Sequence, residues 1–434
     1  MKKVSIIIPV IREKSVKTCI SAIEKNAGIP IDQYEILTEI DSQRVGCPKM
    51  VKKLTKKAKY DLVMFLGDDT EPQEGFLVEA LKEMEKLPDF WGVIGLNTEP
   101  GNPIAHWLAH KKMLNLIPGR SFFSTEYLHC WCDNELRDIA EEFDRWGFAE
   151  KAKIKHHHPI NSSAGWDKDY ERVYSEKAKR VDHMTYLLRK KDRNKTRHGT
   201  KLAIAVPLTT NMLYPQFFFS FVKLITEYMV ALASSGKSIN IEFLIPDFPG
   251  QIDAVRNNLV VNALYKGCTH ILMLDTDQIY KSDNIVQTLL DHNKPVIGAK
   301  VHRRYFPYDP LLLKGKINNF EMIPDDEIKP DGFNTSLKVD ATGAGCILYN
   351  TDIFIKMIDD DYFGKWFELK TGLNGQPIGE DIGFCDRLKG YGVDIYVDCS
   401  IDIGHITLFS ADWGSWQLAQ KILKVSKGGE KNGA

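Results

Sequence analysis

Short, unbroken apolar runs recur along the chain. Each ends at a proline or an acidic residue, and each is followed by a stretch of helical period. Such runs, bounded by turn signals, predict strands buried on both faces, as in a mostly parallel sheet. The first run, 4–10, carries Pro9, and the helical pattern after it, through Ile20 and Ile23, stops at Gly28. A strand over 34–40 ends at Asp41, and Arg44 and Gly46 lead into a basic helix over 49–59. The next apolar run delivers Gly67-Asp68-Asp69. A helix over 71–87 and a strand over 91–96 continue the alternation, which is the doubly wound α/β pattern. Residues 97–120, rich in glycine, proline and histidine, support no assignment. A helix over 136–146, a strand over 152–155 leading to His156-His157-His158, and a polar helix over 167–189 close this half.

After a basic run over 189–199 the pattern restarts. A strand over 202–207 ends at Pro207, and an aromatic helix begins at Phe217. A strand over 240–245 precedes a helix over 252–265 that carries Arg256, and the apolar run 271–274 delivers Asp275-Thr276-Asp277. Pro9 and Pro207, Arg44 and Arg256, and Asp69 and Asp277 fall in the same order, which indicates duplication of a whole domain. Further on, Glu380 has Gly392 twelve residues later, and Glu135 has Gly147 at the same spacing. A strand and then a histidine follow each glycine, His156 in the first half and His405 in the second.

At 434 residues the chain has room for two or three cores. The predicted organisation is a domain over 1–190, a solvated basic linker over 191–200, a second domain over 201–425 and a flexible tail over 426–434. A net charge of −1 removes any global basic field for nucleic acid or anionic membrane. No apolar run is read as approaching the roughly 18 residues of a membrane span. The first ten residues, broken by Pro9 and followed by Arg12, Glu13 and Lys14, read as a strand and not as an export signal. Eight cysteines without a Cys-x-x-Cys pair suit buried thiols in a reducing cytoplasm.

Candidate chemistry gathers at the strand ends. Asp275 and Asp277 lie just past a buried strand, where open α/β sheets bind ligands, and paired carboxylates suit a hard divalent cation that bridges phosphates. A solvated turn is the plain alternative. A strand's two-residue period puts His156 and His158 on one face. Gly379-Glu380-Asp381 reads either as the acidic first turn of a helix or as a positioned general base. Gly343-Ala344-Gly345 reads as close backbone approach to a ligand or as a tight turn. Trp366, Phe367 and Trp413 are core residues or sugar-stacking ones.

These motifs, in this order, resemble glycosyltransferases of the GT-A fold, and most of all glycosyltransferase family 2. In the second half the resemblance rests on Leu274-Asp275-Thr276-Asp277, Thr342-Gly343-Ala344-Gly345, Gly379-Glu380-Asp381 and Gly404-His405. In the first it rests on Ile6-Ile7-Ile8-Pro9, Gly67-Asp68-Asp69, Asp133-Asn134-Glu135 and the histidine triplet. The tandem, with Asp167 and Tyr170 after the triplet, is also similar to bacteriophage-encoded enzymes of the host cytoplasm. The resemblance implies two tandem, Rossmann-like GT-A domains and a hexosyl- or pentosyltransferase that works with inversion. It implies a nucleotide-sugar donor, UDP-sugar first among them. The acceptor would be a glycan, a protein, a small molecule or a modified DNA base.

Asp277 and His405 would hold Mn²⁺ or Mg²⁺ with Asp275 beside them, and Arg256 would sit near the pyrophosphate. Asp381 would be the base and Glu380 would orient the acceptor. Pro207, Arg256 and Asp275 would contact the donor in the second half, and Pro9, Asp41, Arg44 and Asp68 in the first. The first half's metal candidates are Asp69, His156 and His158. Alignment on the trailing glycine puts Leu136 where the base should stand. Either Glu135 or Asp133 takes that role, or this domain binds nucleotide-sugar or glycan without transfer.

Overall fold

The computed structural model describes residues 3–99, 104–159, 164–236, 240–324, 327–328, 336–373, 375–407, 414, 416–418, 420 and 421. The chain divides into two compact units, Met1–Arg193 with Ile355–Asp361, and Asn194–Phe354 with Tyr362–Ala434.

The first unit is built on a mixed sheet. Its strands are β1 (Val4–Val10), β2 (Tyr34–Ile40), β3 (Leu62–Phe65), β4 (Thr70–Pro72), β5 (Val93–Glu99), β6 (Trp107–His110) and β7 (Trp146–His156). They lie in the order β2-β1-β3-β6-β5-β7-β4. β1 pairs parallel with β2 and β3, and β5 with β7, while β6 and β4 run against their neighbours. The helices are α1 (Glu13–Asn26), α2 (Cys47–Lys57), α3 (Phe76–Lys86), α4 (Cys132–Glu142), α5 (Lys168–Val173) and α6 (Glu176–His198). Ile6, Ile8 and Met64 share one core with Val16, Cys19 and Ile23 of α1 and Phe76, Leu77 and Met84 of α3. Ile7 and Val63, on the other face by the two-residue period, are fully buried as well. Burial on both faces is why these strands read as unbroken apolar runs.

The second unit carries β8 (Lys201–Ala205), α7 (Pro215–Ser235), β9 (Asn240–Leu244), α8 (Ile252–Tyr265), β10 (His270–Leu274), β11 (Gln278–Tyr280), α9 (Ile285–Asp291) and β12 (Val296–Val301). Then come β13 (Leu312–Lys316), β14 (Asn319–Met322), β15 (Ser336–Val339), β16 (Ala341–Thr342), β17 (Cys346–Asn350), α10 (Asp352–Lys356), β18 (Lys370–Thr371), β19 (Pro377–Ile378), α11 (Glu380–Gly390) and β20 (Ile395–His405). Its main sheet runs β9-β8-β10-β17-β12-β20-β11, with β15 added on β20. That order repeats the first sheet strand for strand, including an antiparallel fourth member, β6 in one and β17 in the other. The last long strand of each unit also skips the same number of residues. β7 jumps from Ala149 to Lys153 opposite Leu96 and Asn97, and β20 jumps from Asp398 to Asp402 opposite Ala299 and Lys300.

Several sequence expectations are corrected. The helix expected over 71–87 gives its first residues to β4, because Thr70–Pro72 pairs with β7. The unassigned stretch 97–120 contains β6, an antiparallel strand too short to show a period. The helix expected from 136 begins at Cys132. The solvated linker over 191–200 is in fact the end of α6 up to His198, and Lys191 and Arg193 are buried. α7 is long and apolar enough to cross a membrane, with mean hydropathy 1.5, where no such segment was expected. Phe217, Leu224, Tyr228 and Leu232 nevertheless belong to the core of this unit. Trp366 and Phe367 are buried core residues, and Trp413 and the tail over 426–434 lie outside the described residues.

Candidate active site

In the second unit the site grows out of the end of β10. Asp275-Thr276-Asp277 turns the chain back into β11, with the Gln278 N–H donating to the Asp275 carbonyl at 3.3 Å. The β11–β20 register sets Gln278 opposite His405, which brings His405 Nε2 to 3.4 Å from Asp277 Oδ2. His405 Nδ1 donates to the His302 carbonyl at 2.7 Å. That bond fixes the tautomer and turns the Nε2 lone pair inward, the usual arrangement for a metal-binding histidine. Arg304 meets both groups: its Nε donates to His405 Nε2 at 2.9 Å and its Nη2 to Asp277 Oδ2. A guanidinium therefore supplies positive charge between the two side chains expected to hold a cation. Among the described residues no group of three or more His, Cys, Asp or Glu side chains forms a metal cage. A cation at Asp277 and His405 would complete its shell from phosphates and water, as Mg²⁺ commonly does. The carboxylate, the oriented imidazole and the open cavity fit that use.

Burial raises the Asp277 carboxyl, but the His405 bond and Arg304 outweigh it, and the net shift is downward. Burial lowers His405, while the nearby Asp277 carboxylate, which favours the protonated ring, and the His302 carbonyl outweigh that and hold it above its ordinary value. Asp275 is different. Burial and its acidic neighbours push it up to about 6, although Arg256 pulls the other way.

Arg256 lies one turn into α8 and is 2 % exposed. Its Nε donates to Glu380 Oε1 at 2.9 Å and its Nη2 to Asp275 Oδ1 at 2.8 Å. The side chain expected near the pyrophosphate is thus bonded to two carboxylates of the protein, and it ties the end of β10 to α11. Gly379 precedes α11 and puts Glu380 and Asp381 in its first turn. Asp381 accepts the Ile382 N–H at 2.7 Å and the Ala344 N–H at 3.3 Å. Burial, reinforced by Glu380, raises its pKa, as a proton acceptor requires. A Cβ on Gly345 would come within 3.0 Å of the Gln278 side chain, so the glycine lets this backbone close against β11. Pro207, Arg256, Asp275, Asp277, Asp381 and His405 line one cavity of about 400 Å³, with Glu380 and Arg304 also on its wall.

The first unit repeats the core of this site. The β4–β7 register sets Thr70 opposite His156, which places His156 Nε2 3.3 Å from Asp69 Oδ1. Asp69 also accepts the Tyr170 hydroxyl at 2.5 Å. Burial raises this carboxyl, yet the bonds from His156 and Tyr170 bring it well below the ordinary range. Asp68 accepts the N–H groups of Ile11 and Arg12 at 2.7 and 2.6 Å, and Asp41 those of Val45 and Gly46 at 2.8 and 2.9 Å. Burial lowers His158 to about 4 and His106 to about 3, so both are neutral at pH 7. Pro9, Asp41, Asp68, Asp69, Asp133 and His156 line a cavity of about 360 Å³, together with His158.

Three expectations change here. Arg44 lies in the loop before α2, outside the cavity lining, and pairs with Asp169 at 3.0 Å, so it does not correspond to Arg256. Glu135 is buried and bound by Arg189 and Arg193, also outside the lining. Asp133 is the second residue of α4, as Asp381 is of α11. The trailing-glycine alignment failed because Gly147 lies inside β7, whereas Gly392 sits in the turn before β20 with φ +69°. Sequence reasoning missed Arg304, which follows β12 by three residues, and Arg12, which follows β1. Position just past a strand's C-terminal end was the available signal for both.

No protein-family model matches the chain. A subunit of the mannan polymerase complex of Candida albicans, MNN9, is 26% identical over 131 residues. The match covers 23% of this chain and 36% of that protein, so the chain spans about a third of its relative's length. Among solved structures, S. aureus TarS 1–349 in complex with UDP-GlcNAc is similar at 14% identity and a TM-score of 0.30, over 45% of this chain and 74% of that one. Mycobacterium tuberculosis glucosyl-3-phosphoglycerate synthase with Mn²⁺, UDP and glucosyl-3-phosphoglycerate is similar at 11% identity and a TM-score of 0.31, over 42% of this chain and 78% of that one.

Proposed function

We propose that the chain is a cation-dependent glycosyltransferase with two tandem GT-A domains, each holding its own nucleotide-sugar donor and transferring with inversion to an acceptor hydroxyl. The observation that carries this reading is the repeated carboxylate–imidazole pair. Asp69 with His156 and Asp277 with His405 are reached by the same strand order and the same register, at 3.3 and 3.4 Å. The sequence match to a mannan polymerase subunit supports sugar transfer, and with it a glycan acceptor.

In the second unit Asp277 and His405 would hold Mn²⁺ or Mg²⁺. Bound there, the cation would offset the charge that develops on the departing nucleoside diphosphate. Asp381 takes the acceptor's hydroxyl proton as its oxygen bonds to the anomeric carbon and the sugar–phosphate bond breaks. Its raised pKa keeps it basic enough for that step. Arg256 holds Asp275 and Glu380 in place. In the first unit Asp133 has the corresponding position, and burial raises its pKa also. The alternative is a first domain that binds without transfer; Asp133 as the second residue of α4 supports transfer instead.

The test is to screen nucleotide-sugars for Mn²⁺-dependent hydrolysis and then to count the sugars added by mass spectrometry in Asp69→Asn and Asp277→Asn. Each variant should stop at a different stage and bind one donor fewer. Full activity in excess chelator, or unchanged products and donor stoichiometry in both variants, refutes the proposal.

A further inference from the structure

The wall of the first unit's cavity carries a guanidinium with unmet donors. Arg172 lines it, and its Nε and Nη2 are both buried without a hydrogen-bond partner. The other charged groups nearby are satisfied. Arg12 pairs with Asp68 and Asp167, Arg44 pairs with Asp169, and Asp41, Asp68 and Asp69 accept the bonds described above. Two guanidinium N–H groups shielded from water without an acceptor are a cost to the fold, although the residue as a whole is only half-buried.

The short helix that carries Arg172 is anchored at both ends. Asp167 caps α5 by accepting the Asp169 and Tyr170 N–H groups at 2.9 Å, and it also binds Arg12 Nε at 2.9 Å. Tyr170 is anchored to Asp69, and the Tyr174 hydroxyl lies 3.1 Å from His129 Nε2. Arg172 lies between these two anchored tyrosines in sequence, and the Nε–Nη2 edge of its fork is unused. That edge offers two parallel N–H donors, the geometry that receives a phosphate through two bonds at once.

We propose that Arg172 is the anion-binding side chain of the first cavity and takes a phosphate group, either the diphosphate of the donor nucleotide or a phosphate carried by the acceptor. The inference rests on the reading of this cavity as a nucleotide-sugar site. It implies that the empty protein leaves two guanidinium donors unmet, which the ligand satisfies on arrival.

The experiment uses full-length protein with Asp277→Asn to silence the second site, in Mn²⁺. UDP, GDP and inorganic pyrophosphate are titrated by calorimetry into this protein and into the same protein carrying Arg172→Met or Arg172→Lys. Met keeps the length of the side chain and removes the charge, so it should raise the melting temperature of the ligand-free protein by about 2 °C or more. It should also weaken pyrophosphate at least about tenfold, with Lys in between. If UDP or GDP weakens in parallel and competes with pyrophosphate, the phosphate belongs to the donor. If the nucleotides bind as before while pyrophosphate binding in their presence is lost, it belongs to the acceptor. Arg172-dependent pyrophosphate binding in a protein that takes no nucleotide upholds the anion site and sinks the donor reading. Unchanged affinity for every probe in Arg172→Met, or a lowered melting temperature, overturns the proposal.

Discussion

Replacing Arg256 by methionine tests the electrostatic design of the second site. The arginine is 2 % exposed and bonds two carboxylates, Asp275 and Glu380, whose side chains are 23% and 9% exposed. Removing one partner from a buried ion pair costs about 3–5 kcal/mol, because the other charge is left stranded. Here two are stranded, but Asp275 keeps some contact with the cavity, and its carboxyl already stands at about 6 with Arg256 present. Without the arginine that value moves further up, and partial protonation at pH 7 holds the loss near the lower figure, about 3 kcal/mol.

For a domain of 150–250 residues this corresponds to a fall in melting temperature of roughly 6–12 °C. The sign of the pH dependence follows from the same shift. Asp275 binds its proton more tightly folded than unfolded, so its contribution is full below the ordinary carboxyl value and is lost as pH rises through the folded one. The deficit of Arg256→Met against wild type should therefore shrink as pH drops from 7 to about 5. Calorimetry in the presence of chelator measures both quantities, and adding Glu380→Gln and Asp275→Asn should restore part of the loss. A melting temperature within about 1 °C of wild type, or a deficit that grows in acid, would show that Arg256 does not hold these carboxylates together.

Mn²⁺ affinity at the second site should weaken as pH falls from 8 to 6, beginning above the ordinary imidazole value because His405 is shifted upward. Electron paramagnetic resonance of free Mn²⁺ measures this in Asp69→Asn protein, and a flat profile removes His405 from the ligand set. Asp381→Asn should bind donor as wild type does and lose about 10²–10⁴ in transfer rate at the second site, whereas an equal loss in donor affinity marks a binding role. Asp133→Asn should do the same at the first site. Glu135→Gln should instead lower the melting temperature and spare chemistry, since Glu135 anchors Arg189 and Arg193 away from the cavity. Reversed effects in that pair would restore Glu135 as the base.

What the sequence displayed best was whatever a single strand or helix determines locally. The buried runs ending in Asp68-Asp69 and Asp275-Thr276-Asp277 stand where they were placed, because burial on both faces leaves an unmistakable apolar pattern. α8 was read to the residue. What failed depended on pairing across the sheet. β4 and β6 are three and four residues long, too short to declare a period, and they exist because β7 and β3 lie beside them. Within the sites, Arg256 and Glu135 look in sequence like ligand-facing charges. Only the fold shows that their partners are other charged side chains of the protein. The same holds for the apparent linker, whose basic residues find Glu135 from the far end of α6.

Arg304 gives the second site the character of an ion exchanger supplied with its own counter-ion. A structural zinc centre loses its fold with its metal, because its ligands are then left mutually repelling. Here the tethered guanidinium already neutralises Asp277 and engages the inward nitrogen of His405. Stripping the protein with chelator should leave a folded, storable enzyme that regains activity when cation is restored. An arriving cation must outcompete an arginine that cannot diffuse away, so weakly charged ions such as Na⁺ and K⁺ are poorly placed to displace it, and a divalent ion accompanied by a diphosphate is well placed. The displaced arginine then remains beside a newly arrived polyanion, on an exposed stretch of chain just past β12, free to pair with it.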